Sequence, residues 1–120
     1  MTDTIVRAST RGAGYGKLML ALNHRRTFRT SGALSGQAYV PDAARYASVG
    51  QLRGDELAKF RAERAGATFI VFSYSTPIAW EVDGKVYVVS QRFSMTTSHH
   101  QGKLWALTQP EGYFDGIYSD

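Results

Sequence analysis

An α+β fold, one domain of antiparallel sheet with two or three helices, is predicted by three observations on this sequence. Residues 53–66, RGDELAKFRAERAG, carry Leu57 and Phe60, with Ala58 and Ala65, as a stripe among charged positions, and Gly66 supplies a stop. Three apolar, β-branched and aromatic runs follow, ATFIVFSY, IAWEV and VYVVSQRF, separated by the turn signals STP and DGK. The whole chain is 120 residues with 43% hydrophobic content, room for one core and one domain. The meander belongs to a sheet of about four to six strands.

The remaining elements follow in order. TIVRAS (residues 4–9) alternates as a short strand and runs into the glycine-rich RGAGYGK. From Tyr15 to Arg26, residues Leu18, Met19, Ala21 and Leu22 fall at helical spacing, with Arg25 and Arg26 at the C-terminal end, where cations suit the helix dipole. TFRTSGALSGQAYV reads as a hairpin around its two Ser-Gly steps, and residues 41–50 as a connection opened by a Pro-Asp turn. In SMTTSHHQGKLWAL (residues 94–107), Thr97 or Ser98 is expected to cap a helix starting at His99, with Leu104, Trp105 and Leu107 on its apolar side. Gly102 weighs against a continuous helix there, and the alternative is an extended FSMTTS followed by a loop. The tail, residues 109–120, is expected to pack as an irregular arm around Tyr113, Phe114, Ile117 and Tyr118, and residues 1–3 are expected to be a second irregular arm.

Composition narrows the function classes. With no cysteine, disulfides, thiolate zinc sites and cysteine nucleophiles are excluded. No apolar run is long enough to span a bilayer, and residues 1–10 lack the basic start and apolar stretch of a signal peptide, so the chain is expected to stay where it is made. The net charge is +4, unevenly spread. Residues 1–40 hold Arg7, Arg11, Lys17, Arg25, Arg26 and Arg29 against Asp3 alone, whereas residues 81–120 hold Glu81, Asp83, Glu111, Asp115 and Asp120 against Lys85, Arg92 and Lys103.

That N-terminal basic set, interleaved with Tyr15, His24 and Phe28, makes a candidate face for a nucleic-acid backbone or an acidic partner, with charge as its only signal. GAGYGK has the look of a phosphate cradle but not the spacing of a P-loop, and Leu18 stands where Ser or Thr would bind magnesium. A flexible strand-to-helix turn accounts for it better. His24, His99 and His100 are the strongest neutral metal ligands, but adjacent histidines point apart in helix or strand, so no metal and no cofactor are expected. Thr96, Thr97 and Ser98 beside His100, with Glu81 or Asp83 as a third member, could form a small hydrolase site. Hydroxyl runs before helices more often cap them, with His100 and Gln101 bonding the neighbouring strand turn.

GAGYGKLMLALN, TSGALSG, SYSTPIAW and FSMTTSHHQGK together resemble a family of small uncharacterised proteins of bacteriophages that infect actinobacteria. The similarity runs over most of residues 5–107. One block comprises Tyr74, Thr76, Pro77, Ile78, Ala79 and Trp80, and a second Phe93, Ser94, Thr96, Thr97, Ser98, His100 and Gln101. Phe93 stands where the family pattern has Tyr, which makes a phenol hydroxyl dispensable there. The resemblance implies a phage accessory protein acting in the cytoplasm of an infected bacterium, and no known reaction. A binding module for a host macromolecule, foremost a host protein, is then the leading expectation, with nucleic-acid binding the alternative and a hydrolase third. Trp80 is expected in the core, and an exposed Trp80 would instead be a partner anchor. The aromatic tail offers a second partner surface or a place for self-association.

Overall fold

The computed structural model describes residues 4–118, so expectations for residues 1–3, 119 and 120 lie outside the described residues. A single six-stranded sheet runs in sequence order: β1 (Val6–Arg7), β2 (Phe28–Arg29), β3 (Leu34–Ala38), β4 (Ala67–Ser73), β5 (Thr76–Val82) and β6 (Lys85–Val88). Helices α1 (Gly14–Asn23), α2 (Gly54–Glu63) and α3 (Met95–Gln101) complete the α+β domain, with 3-10 turns at Arg64–Gly66 and Leu104–Thr108.

The sheet is mixed rather than wholly antiparallel. β1 pairs with β2 in parallel, because α1 carries the chain back over the sheet between them, and all other pairs are antiparallel. Both faces of the sheet are covered. On one lie α1, the 3-10 segment and the C-terminal residues, burying Leu18, Met19, Leu22, Phe69, Leu107 and Phe114. On the other, α2 and the connection after β3 bury Ala44, Leu52, Phe60, Ile70, Trp80 and Val89.

Strict alternation along β4 and β5 is broken twice. The register jumps from Ala67↔Val82 to Phe69↔Glu81, leaving Thr68 extra, and from Val71↔Ala79 to Phe72↔Pro77, leaving Ile78 extra. Each bulge reverses which face the next side chain meets. Ala67 and Ile70 therefore reach the α2 face while Phe69 and Val71 reach the α1 face. Pro77, which cannot donate to a ladder, sits beside the second bulge and beyond the last β5–β6 pair. The DGK signal becomes a tight turn with both Asp83 and Gly84 at positive φ, as a two-residue hairpin loop requires.

Trp80 is buried, as expected. Its indole N–H donates to Glu63 at 2.8 Å and its ring packs edge-on against Phe60 and tilted on Tyr87. The α2 face also holds Glu56, which accepts from the Tyr87 hydroxyl (2.6 Å), the Ser90 amide (2.8 Å) and the Gln91 amide (3.0 Å). Burial opposes the charge on Glu56, but these donors outweigh it and hold the carboxyl below its usual range. The bond to Glu56, with burial, pushes the Tyr87 phenol up to about 12.

Two boundaries differ from expectation. α1 ends at Asn23, so Arg25 and Arg26 lie beyond it, with Arg25 in the left-handed region (φ 56). α3 begins at Met95, four positions before His99, because the cap is Ser94, whose hydroxyl accepts from the Thr97 amide at 3.0 Å. Thr97 and Ser98 are thus inside the helix, which Gly102 closes. Leu104 and Leu107 are buried from the 3-10 turn that follows, whereas Trp105 faces outward.

Candidate functional site

The two sequence blocks, separated along the chain by residues 81–92, meet in space at the β4–β5 turn and the first turn of α3. Ser73, the last residue of β4, is the hub. Its hydroxyl lies 2.7 Å from His100 Nδ1 and 3.0 Å from the Thr97 hydroxyl, which in turn accepts from Ser94 at 3.1 Å. Ser94 donates to Thr97, and the Ser73 hydroxyl, which can both donate and accept, bridges Thr97 and His100 Nδ1. Burial, with the neighbouring His99 and Lys103 charges, lowers the His100 pKa and favours the neutral ring. Gln101 completes the clamp by donating to the Val89 and Gln91 carbonyls, both at 2.9 Å.

This buried chain has the makings of a serine–histidine pair, but Ser73 rather than Ser98 is its serine. It is 1% exposed, and no carboxylate bonds His100 among the described residues. Glu81, offered as a third member, is spent on Arg25, and Asp83 sits in the β5–β6 turn. The chain ties α3 to the sheet.

Above it opens a groove of about 380 Å³. It is lined by Ser73, Tyr74, Ser75 and Thr76 around the β4–β5 turn, by Ser94, Thr96 and Thr97 at the start of α3, and by Gln51. Gln51 is placed by a bond from its amide to the Thr76 hydroxyl at 2.9 Å. The neighbouring Gly50 has φ +50, and a Cβ there would lie 2.3 Å from the Thr76 Cα, so only glycine lets this loop close on the turn. Tyr74 is 65% exposed at the rim and, unusually for a bulky residue, holds φ 57.

The basic set is dispersed. Arg25 makes an ion pair with Glu81 (3.1 Å) and donates to the Leu22, Asn23 and Leu107 carbonyls. Arg29 bonds the Phe28 and Gly36 carbonyls and Gln37. Arg7, Arg11 and Lys17 are exposed, and Tyr15 lies under the Lys103 ammonium at 5.5 Å. Arg26 lines a cavity of about 510 Å³ with His24, Glu111 and Asp115. Two glycines of GAGYGK answer to packing, since a Cβ on Gly14 would strike Ser9 and one on Gly16 would strike the Tyr118 ring, and Gly12 answers to its backbone at φ +69.

The charge asymmetry along the sequence is thus partly folded onto itself. His24 joins Glu111 (3.1 Å, Nδ1) and Asp115 (2.7 Å, Nε2), and these two bonds raise its pKa against a smaller effect of burial. The carboxylates sit at opposite edges of the ring and cannot share one ion with it. Among the described residues no three His, Asp or Glu side chains gather as a metal site.

A second surface lies on the C-terminal segment. Asn23 holds it by donating to the Ala106, Gln109 and Pro110 carbonyls and accepting from the Gly112 amide. Phe114 is buried, and Trp105 and Tyr113 pack edge-on against it at 5.2 and 4.8 Å, yet remain 43% and 49% exposed. The sequence flagged the aromatic tail but assigned Trp105 to the apolar side of a helix; α3 stops at Gln101, and the separate 3-10 turn that follows turns Trp105 outward.

The model of one protein family matches residues 22–114. The chain belongs to this family of unknown function, DUF8033. The match takes in the groove, the Ser73–His100 chain, the Arg25–Glu81 pair and the Trp105–Tyr113 surface, while Arg7, Arg11, Tyr15 and Lys17 precede it. No curated protein and no solved structure matches. Among the described residues no helix is long and apolar enough to cross a membrane.

Proposed function

We propose that this chain is a bacteriophage accessory protein, a non-enzymatic binding module that engages a host protein in the cytoplasm of an infected bacterium. The resemblance of the two sequence blocks supports the phage setting. The observation that carries the binding role is the outward pair Trp105 and Tyr113 held rigidly on buried Phe114. Large aromatic side chains fixed at low entropic cost are the commonest anchors of protein interfaces, each worth about 2 kcal/mol or more when enclosed by a partner. Ile117, also exposed, extends the apolar area, its amide bonded to the Phe114 carbonyl.

The test is capture from actinobacterial lysate with tagged protein, in parallel with the Trp105→Ala, Tyr113→Ala double variant, with and without nuclease. A protein retained by the parent chain after nuclease and lost from the folded variant is the expected result. Recovery of nucleic acid instead, with proteins released by nuclease, overturns it in favour of binding through Arg7, Arg11 and Lys17, and would show a steep salt dependence.

A further inference from the structure

We infer that the groove between the β4–β5 turn and α3 is a binding site for a neutral saccharide. It is separate from the aromatic partner surface and does not depend on it. The first argument is charge. Among the described residues no Asp, Glu, Lys or Arg side chain lines the groove, so none of them compensates the desolvation of a phosphate, a carboxylate or an ammonium group there.

The second argument is the supply of polar groups. Ser94, Thr97 and Ser73 are bonded to one another and to His100 and make a fixed floor. The Tyr74, Ser75 and Thr96 hydroxyls and the Gln51 side-chain amide make no hydrogen bond within the described residues, and Thr76, accepting from the Gln51 amide, keeps its proton to donate. Hydroxyls both donate and accept, as do those of a sugar ring, so a cluster of them matches neighbouring diols without needing a set orientation. The volume of about 380 Å³ suits a ligand of one or two rings.

The third argument is Tyr74. A bulky residue at φ 57 in a two-residue hairpin loop, where glycine or asparagine is at ease, is strained, and this Tyr is largely exposed while lining the groove. An aromatic face beside a polar floor is what the C–H face and the hydroxyl edge of a sugar require.

The experiment is an NMR titration of the full, nitrogen-15-labelled chain with trehalose, maltose, cellobiose and N-acetylglucosamine, and separately with uridine and inorganic phosphate. Expected are saturable shifts at Gln51, Ser75, Thr76 and Thr96 with at least one saccharide, unchanged by added salt. No shift with any saccharide, or shifts at these residues with uridine or phosphate alone, overturns the inference. Tyr74→Asn relieves the left-handed strain, so it should raise the Tm while weakening saccharide binding about tenfold. Thr96→Lys, at an exposed position, should weaken it comparably by bringing a charge into the groove. A stabilised Tyr74→Asn variant that binds as the parent does would show that the ring is no platform and overturn the assignment.

Discussion

Arg25→Ala tests most directly how the fold uses its basic residues. The substitution retains a Cβ, so the left-handed backbone at φ 56 is equally strained in parent and variant, and only the guanidinium is lost. With it go the ion pair to Glu81 and the bonds to the Leu22, Asn23 and Leu107 carbonyls at 2.8, 3.1 and 2.9 Å. The side chains of Arg25 and Glu81 are only 23% and 19% exposed, so solvent screens them little and Glu81 would be left without its cation. Breaking a buried pair by removing one partner costs about 3–5 kcal/mol, and the residual exposure here argues for the lower end, about 3 kcal/mol. For a domain of this size that is a fall in Tm of roughly 10–15 °C.

Thermal and urea unfolding followed by far-ultraviolet circular dichroism would measure it. Arg25→Lys should fall between the two, since a single ammonium cannot fork to Glu81 and Leu107 together. Adding Glu81→Gln to Arg25→Ala should recover part of the loss by removing the orphaned carboxylate. A cost below about 1 kcal/mol, the level of an exposed surface pair, would refute the reasoning and return Arg25 to the pool of cations available to an anionic partner.

Two further predictions concern pH. Glu56 titrates below its ordinary 4.5 in the folded chain, so its stabilising contribution is present above that value and is lost as pH falls through the depressed one; the acid limb of the parent's urea midpoint should be steeper than that of Glu56→Gln, and parallel limbs would disprove it. His24 has the opposite sign: its pKa is raised above 6.5, so its contribution is complete below 6.5 and disappears as pH rises through the folded value. The stability gap between the parent and His24→Gln should therefore close on going from acid to alkaline pH, and a constant gap would show that the imidazolium does not bridge Glu111 and Asp115.

Local pattern settled much of this protein. The stripe of Leu57 and Phe60 specified α2, the spacing of Leu18, Met19 and Leu22 specified α1, and the apolar runs with an Asp-Gly turn specified the β4–β6 meander, because helix and strand periods are read within one segment. The fate of Trp80 was legible for the same reason. What needed the tertiary structure is whatever depends on two segments at once. The bulges at Thr68 and Ile78 exist because both faces of β4 and β5 are buried against different partners, and no single-strand pattern announces them. The cap at Ser94 won over Thr97 and Ser98 because Thr97, one turn further on, is also needed to reach Ser73 across the core. The N-terminal charge surplus was real in the sequence, yet its availability was decided by the fold, which sets Arg25 against Glu81 and His24 against Glu111 and Asp115. The groove itself was half visible: both blocks stood out as sequences, but only their approach in space makes them line one groove. Chain periodicity records which way each residue points, and the burial of distant apolar surfaces decides what it points at.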